Sequence, residues 1–157
     1  MERHPRLNFP VFRFRVTADG ARHRIWDTVR GRWLVLTPEE WVRAHVLRYL
    51  TACAGVPGAL IRGEYPVSLN GQPQRADVVV CTRDGQPWLL VECKAPEVEV
   101  LRPVLDQAVR YNSVLGARYV WITNGLTHYC YRLSPGGDYE PMDCLPGPDE
   151  MAALTAR

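Results

Sequence analysis

The stretch from Arg75 to Lys94, RADVVVCTRDGQPWLLVECK, constrains the fold of this chain more than any other. It holds two apolar runs, Ala76–Cys81 and Trp88–Val91, joined across Asp84-Gly85. Asp-Gly between β-rich runs marks a hairpin, because both central residues of a type I′ turn need φ > 0. With Asp84 and Gly85 as a two-residue loop, Asp77 falls opposite Glu92, Arg75 opposite Lys94 and Pro87 opposite Thr82. Pro87 would then stand at a non-hydrogen-bonded position, which suits a residue without an N–H. This register predicts two carboxylates on one face with Cβ atoms about 4.5–5.5 Å apart. Like charges directly opposite destabilise a sheet, so a compensating partner is expected. The hairpin alone leaves two readings open: a divalent cation bordered by Lys94, or a polar end projecting into water.

Composition sharpens the role of Lys94. Of the 19 basic residues every other one is Arg, and Lys94 is the only lysine. Arg keeps its proton and presents a broad planar fork, whereas Lys is a compact charge with a tunable pKa. The pattern suggests that position 94 needs an ammonium group. The same count excludes a P-loop, which requires a lysine in GxxxxGK[ST], so no such ATPase motor is expected within these residues.

A length of 157 residues suits one domain with its own core. Residues 1–36 read as a strand-rich extension, 37–133 as the core and 134–157 as a Pro/Gly-rich acidic tail. No apolar run approaches the roughly 18 residues of a membrane span, and MERHPRLNFP lacks a secretory stretch. A cytoplasmic protein with no membrane partner is expected. Five cysteines, an odd number without CxxC, read as reduced thiols in the core rather than disulfides. No Cys/His zinc spacing occurs. Residues 1–32 hold eight Arg against three acids, which suits either a phosphate-facing surface or a solvated one.

Residues 9–16, FPVFRFRV, alternate and predict a half-exposed strand. Two further strands are expected at Arg24–Asp27 and Trp33–Leu36. Thr37-Pro38-Glu39-Glu40 signals a helix start with Thr as cap and Pro in the first turn. The helix should run to about Ala54, with Val42, Val46, Tyr49, Leu50 and Cys53 inward. A strand interrupted near Gly63 and Pro66 follows, then a turn at Asn70-Gly71 and the central hairpin. A second helix is expected from Pro103 to Leu115, ended by Gly116, with Val104, Ala108, Tyr111 and Leu115 on its apolar side. Tyr119–Thr123 reads as a buried strand, turned by Asn124-Gly125 into Thr127–Leu133. Residues from Ser134 onward look like an extended tail, with a short helix over 149–156. The five tryptophans are read as core.

A helix, three strands carrying Asp77…Glu92-Cys93-Lys94, a helix and a strand resemble the core of the PD-(D/E)XK nuclease superfamily. Gln107-Ala108-Val109-Arg110-Tyr111 matches the Q-x3-Y motif of its exonuclease-like branch. VECKAP, DQAVRYN and VWITNG together look most similar to the N-terminal nuclease domain of type I restriction enzyme R proteins. The resemblance implies an α/β fold, a restriction-endonuclease-like α/β/α core around a mixed sheet in α-β-β-β-α-β order. It also implies a Mg²⁺-dependent DNA nuclease, with Mn²⁺ able to substitute. Asp77, Glu92 and the carbonyl of Cys93 would hold the metal. Lys94 would act on the attacking water or the phosphate, Gln107 would orient them, and Tyr111 and Arg75 would contact DNA. Many members add a helix-borne acid, for which Glu39 and Glu40 are both candidates. Implied partners are DNA and other restriction-modification or DNA-processing subunits. On the residues alone, Tyr111 is equally a core residue and Gln107 a surface one. A non-catalytic nucleic-acid-binding or subunit-assembly module on the same fold is the competing reading.

Overall fold

The computed structural model describes residues 4–143 and 145–146. Cys144, the end of the acidic tail and the short helix expected over 149–156 lie outside the described residues. Strands β1 (Val16–Asp19), β2 (Arg22–Asp27) and β3 (Arg32–Val35) form a small antiparallel sheet. Of the strand expected at 9–16 only Val16 belongs to β1. Phe9, Phe12 and Phe14 instead face His45 of the first helix, with ring centroids 5.6, 6.0 and 4.9 Å away. The alternation therefore reflects side chains turned towards a helix and not strand pairing.

Helix α1 (Pro38–Arg48) starts as expected, Thr37 Oγ1 accepting the Glu40 N–H at 3.1 Å. It continues into a π-helical turn, Tyr49–Cys53, before Gly55 ends it at φ 73°. The wider turn rotates the last residues off the inward face. Val42, Val46 and Leu50 are buried, but Cys53 is exposed, contrary to its placement in the core. Cys81, Cys93 and Cys130 are buried thiols.

The main sheet has six strands in the order β4 (Ile61–Leu69), β5 (Gln72–Cys81), β6 (Pro87–Cys93), β7 (Tyr119–Thr123), β8 (His128–Leu133) and β9 (Tyr139–Met142). Only β6 and β7 pair in parallel, connected through α2 (Arg102–Leu115), so the sheet is mixed. β7 is buried at every residue, as a strand covered on both faces should be. One face packs Val78, Val80, Leu89 and Val91 under α1; the other packs Val79, Leu90, Val120 and Ile122 under Ala108 and Tyr111 of α2. Each fully buried aliphatic side chain contributes about 1.5–3 kcal/mol relative to exposure. Of the tryptophans only Trp121 is buried; the other four are half-buried. Strand β9 replaces part of the expected tail. Ser134 and Asp138 close a tight turn, with Gly137 at φ 89°.

The central hairpin keeps the predicted register at Val78–Val91, Val79–Leu90 and Val80–Leu89. Its turn is different. Gly85 alone adopts positive φ (82°), Gly85 N–H donates to Thr82 O and Thr82 N–H to Gln86 O. The loop thus has three residues, Arg83 to Gly85, and Pro87 pairs with Cys81 instead of Thr82. Trp88 is then the extra residue of a β-bulge, which restores the register beyond it. The two-residue turn with both residues at positive φ sits instead at Asn70-Gly71 (φ 50° and 75°), joining β4 to β5. No helix among the described residues is long and apolar enough to cross a membrane.

Candidate active site

Val78–Val91 is the last pair of the β5–β6 ladder on this side. Beyond it, side chains take over from backbone. The Cys93 N–H donates to Asp77 Oδ2 at 2.8 Å, and the Asp77 N–H donates to Glu92 Oε1 at 3.3 Å. Each acid thus satisfies a backbone donor freed where the strands part. Lys94 turns to β7, its N–H donating to Thr123 O at 2.9 Å. Arg75 therefore does not pair with Lys94. It pairs with Pro66 of the edge strand β4, and its side chain, 73% exposed, reaches Glu64 at 3.4 Å.

Helix α2 brings Gln107 and Tyr111, one turn apart, alongside the acids. Lys94 Nζ donates to Gln107 Oε1 at 3.4 Å, and Gln107 Nε2 donates to the Tyr111 hydroxyl at 3.3 Å. Tyr111 packs its ring in the core and keeps its hydroxyl for Gln107, so the core and polar readings of this residue hold together. Asn124, absent from the sequence-derived site residues, fixes the approach to this helix. Its side chain donates to Val98 O at 2.8 Å and accepts the N–H groups of Leu126 and Thr127.

Helix α1 contributes the residue that sequence reasoning missed. Arg43, its side chain 6% exposed, donates through Nη2 to Asp77 Oδ1 at 2.7 Å. It also bonds Glu40 through Nη1 and lies 3.5 Å from Glu39 Oε1. The signal was a charge within the helix's apolar stripe, at i, i+3, i+7 with Val46 and Leu50. The contacts extend further: Arg30, in the turn between β2 and β3, bonds Asp27 at 2.6 Å and reaches Glu64 at 3.1 Å and Glu40 at 3.7 Å. Gly63 makes room for it, since a Cβ there would lie 3.3 Å from the Arg30 side chain.

Electrostatics follow from this crowding. Burial, reinforced by the Asp77 charge, pushes Glu92 up to about 8. Burial and then Asp77 also raise Glu39. Burial would lower Arg43, but Asp77 and Glu40 outweigh it and hold the guanidinium firmly protonated. Burial pushes the Cys93 thiol up, so this sulfur remains a neutral thiol. Burial, Glu92 and Asp77 raise the Tyr111 hydroxyl.

The donor set suits a hard divalent cation, which prefers carboxylate and carbonyl oxygens. Four carboxylates (Glu39, Glu40, Asp77, Glu92) lie among three cations, Arg30, Arg43 and Lys94. Among the described residues, no group of three or more His, Cys, Asp or Glu forms a ready-made cage. Asp77 is engaged by Arg43 and by the Cys93 N–H.

An α/β/α core with this mixed sheet and helix order is a restriction-endonuclease-like fold. Residues 38–146, more than half of the chain, match the family of the type I restriction enzyme R protein N terminus. The chain belongs to that family. Its fold is similar to a fragment of a protein described as an HsdR subunit of a type I restriction enzyme from Vibrio vulnificus YJ016. The TM-score is 0.54 at 24% identity, over 76% of this chain and 25% of that one, so this chain spans a quarter of that relative's length. A protein described as a nuclease of the DUF820 group from Anabaena variabilis ATCC 29413 aligns with a TM-score of 0.48 at 13% identity, over 87% of this chain and 88% of that one. No curated protein matches the chain in sequence.

Proposed function

We propose that this domain is a metal-dependent deoxyribonuclease, in which Asp77, Glu92 and the carbonyl of Cys93 hold Mg²⁺, with Mn²⁺ as a substitute. The observation that carries it is the juxtaposition of two acids, joined by the Asp77 N–H to Glu92 Oε1 contact, beside the only lysine of the chain. Paired acids held this close call for a cation, and burial that lifts Glu92 to about 8 points the same way. A bound divalent ion supplies Lewis-acid charge for the phosphate and acidifies water.

The chain's own groups divide the remaining work. Lys94 Nζ, steadied by Gln107, positions the attacking water or offsets charge developing on the phosphate. Tyr111 orients Gln107, and Arg75, largely exposed beside Glu64, would meet the DNA backbone. Glu39 is the better candidate for the helix-borne acid: Asp77 and Lys94 both act on it, whereas Glu40 is bonded to Arg43 and approached by Arg30. DNA is the proposed substrate. The family supports a restriction-modification setting, and a translocating subunit in the same or another chain is part of this proposal.

Calorimetric titration with Mg²⁺ and Mn²⁺ tests the assignment. Binding by the wild type that disappears in Asp77→Ala supports it. Flat titrations in both proteins overturn it in favour of a nucleic-acid-binding or assembly module.

A further inference from the structure

Arg43 sits where the proposed metal chemistry gives it no role. It is a buried arginine on the apolar stripe of α1, and its fork spans Asp77, Glu40 and Glu39. A buried guanidinium is costly unless its partners are fixed, and removing one partner leaves the other charge uncompensated. Asp77 Oδ1 receives Arg43 while Oδ2 receives the Cys93 N–H, so both oxygens already have a donor. Glu40 is in turn held by Arg30, which Asp27 anchors. The guanidinium is therefore placed from behind by the N-terminal sheet and from the front by the acids.

We propose that Arg43 is the resident counter-ion of Asp77, a positioning residue that fills the charge role of the divalent cation in the metal-free protein and competes with that cation for the carboxylate. The proposal rests on the metal-site reading of Asp77 and Glu92. A positive charge 2.7 Å from Asp77 lowers the site's attraction for a second cation, yet it keeps the carboxylate cluster assembled until that cation arrives. The Arg30–Asp27 pair fixes the guanidinium's other neighbour, Glu40, and so helps define where Arg43 rests.

The test compares Mg²⁺ affinity by calorimetry, at a pH above the titration range of Glu92, for wild type, Arg43→Gln and Arg43→Lys. Gln keeps one amide donor but removes the charge; Lys keeps the charge. Folding of each variant is checked by circular dichroism, and Arg43→Met serves as a second neutral variant if Gln fails to fold. The expected result is affinity at least about tenfold tighter in the neutral variant, wild-type-like affinity in Arg43→Lys, and a lower metal-free melting temperature in the neutral variant that Mg²⁺ restores. Equal or weaker binding in a folded neutral variant overturns the competition while leaving the metal site intact. Flat titrations in every protein, wild type included, overturn the metal site itself and the proposal with it.

Discussion

The carboxylate of Asp77 accepts the backbone N–H of Cys93 at 2.8 Å, a side chain standing in for the neighbouring strand at the point where the ladder stops. This contact explains how a sheet tolerates facing acids. Asp77 gains a backbone donor and Arg43, and Glu92 receives the Asp77 N–H, so neither carboxylate depends on water alone. A separation of strands β5 and β6 is thereby built into the site.

Glu92 makes metal-free stability depend on pH. Its folded pKa of about 8 lies above the unfolded value of 4.5. The stability lent by the neutral carboxyl is therefore complete below pH 4.5 and is lost as pH rises through 8. Thermal melts in a chelating buffer should show the melting temperature falling between about pH 5 and 9, with Glu92→Gln flattening the fall. His45 acts on the other side. Burial lowers it below 6.5 despite its bond to Trp41 O, so its contribution is lost as pH falls below 6.5. A flat profile in the alkaline range for the wild type contradicts the buried, acid-paired state of Glu92.

Gln107 links Lys94 to Tyr111 and should act through Lys94. Gln107→Leu is expected to lower cleavage about 10- to 100-fold with little change in melting temperature, and Tyr111→Phe by less, since Gln107 keeps its bond to Lys94. Initial rates of metal-dependent cleavage measure both. A larger loss for Tyr111→Phe than for Gln107→Leu would reverse that order of dependence.

Asn124 makes three backbone contacts from a buried position. Asn124→Ala should therefore destabilise the fold by about 1–3 kcal/mol, because it removes three hydrogen bonds. Urea unfolding measures this, and a loss under about 0.5 kcal/mol would mean that the loop to α2 is held elsewhere.

The helices, the hairpin and the buried strand β7 were legible because period, caps and turn residues agreed with the tertiary packing. The register from Val78–Val91 to Val80–Leu89 matches the expected one because two departures cancel: a three-residue loop displaces the pairing by one, and the Trp88 bulge restores it. Bulges leave no clear local pattern, so this compensation was invisible in the sequence. Phe9, Phe12 and Phe14 misled because alternation on the surface of a helix reads like a strand. Strand β9 was hidden by Pro141 and by the glycines of its own turn, which a strand at the sheet edge tolerates. Arg43 was missed because a helical arginine near two glutamates reads as a solvated i,i+3 and i,i+4 set. Only the fold brings Asp77, 34 positions away, to its other side.

Nicking of supercoiled plasmid by the pure protein in Mg²⁺ or Mn²⁺, wild type against Lys94→Ala, tests the proposed nuclease site most directly. The expected result is metal-dependent nicking that falls at least about 100-fold in Lys94→Ala, with an unchanged melting temperature. Equal nicking by the two proteins, or none by either, contradicts it.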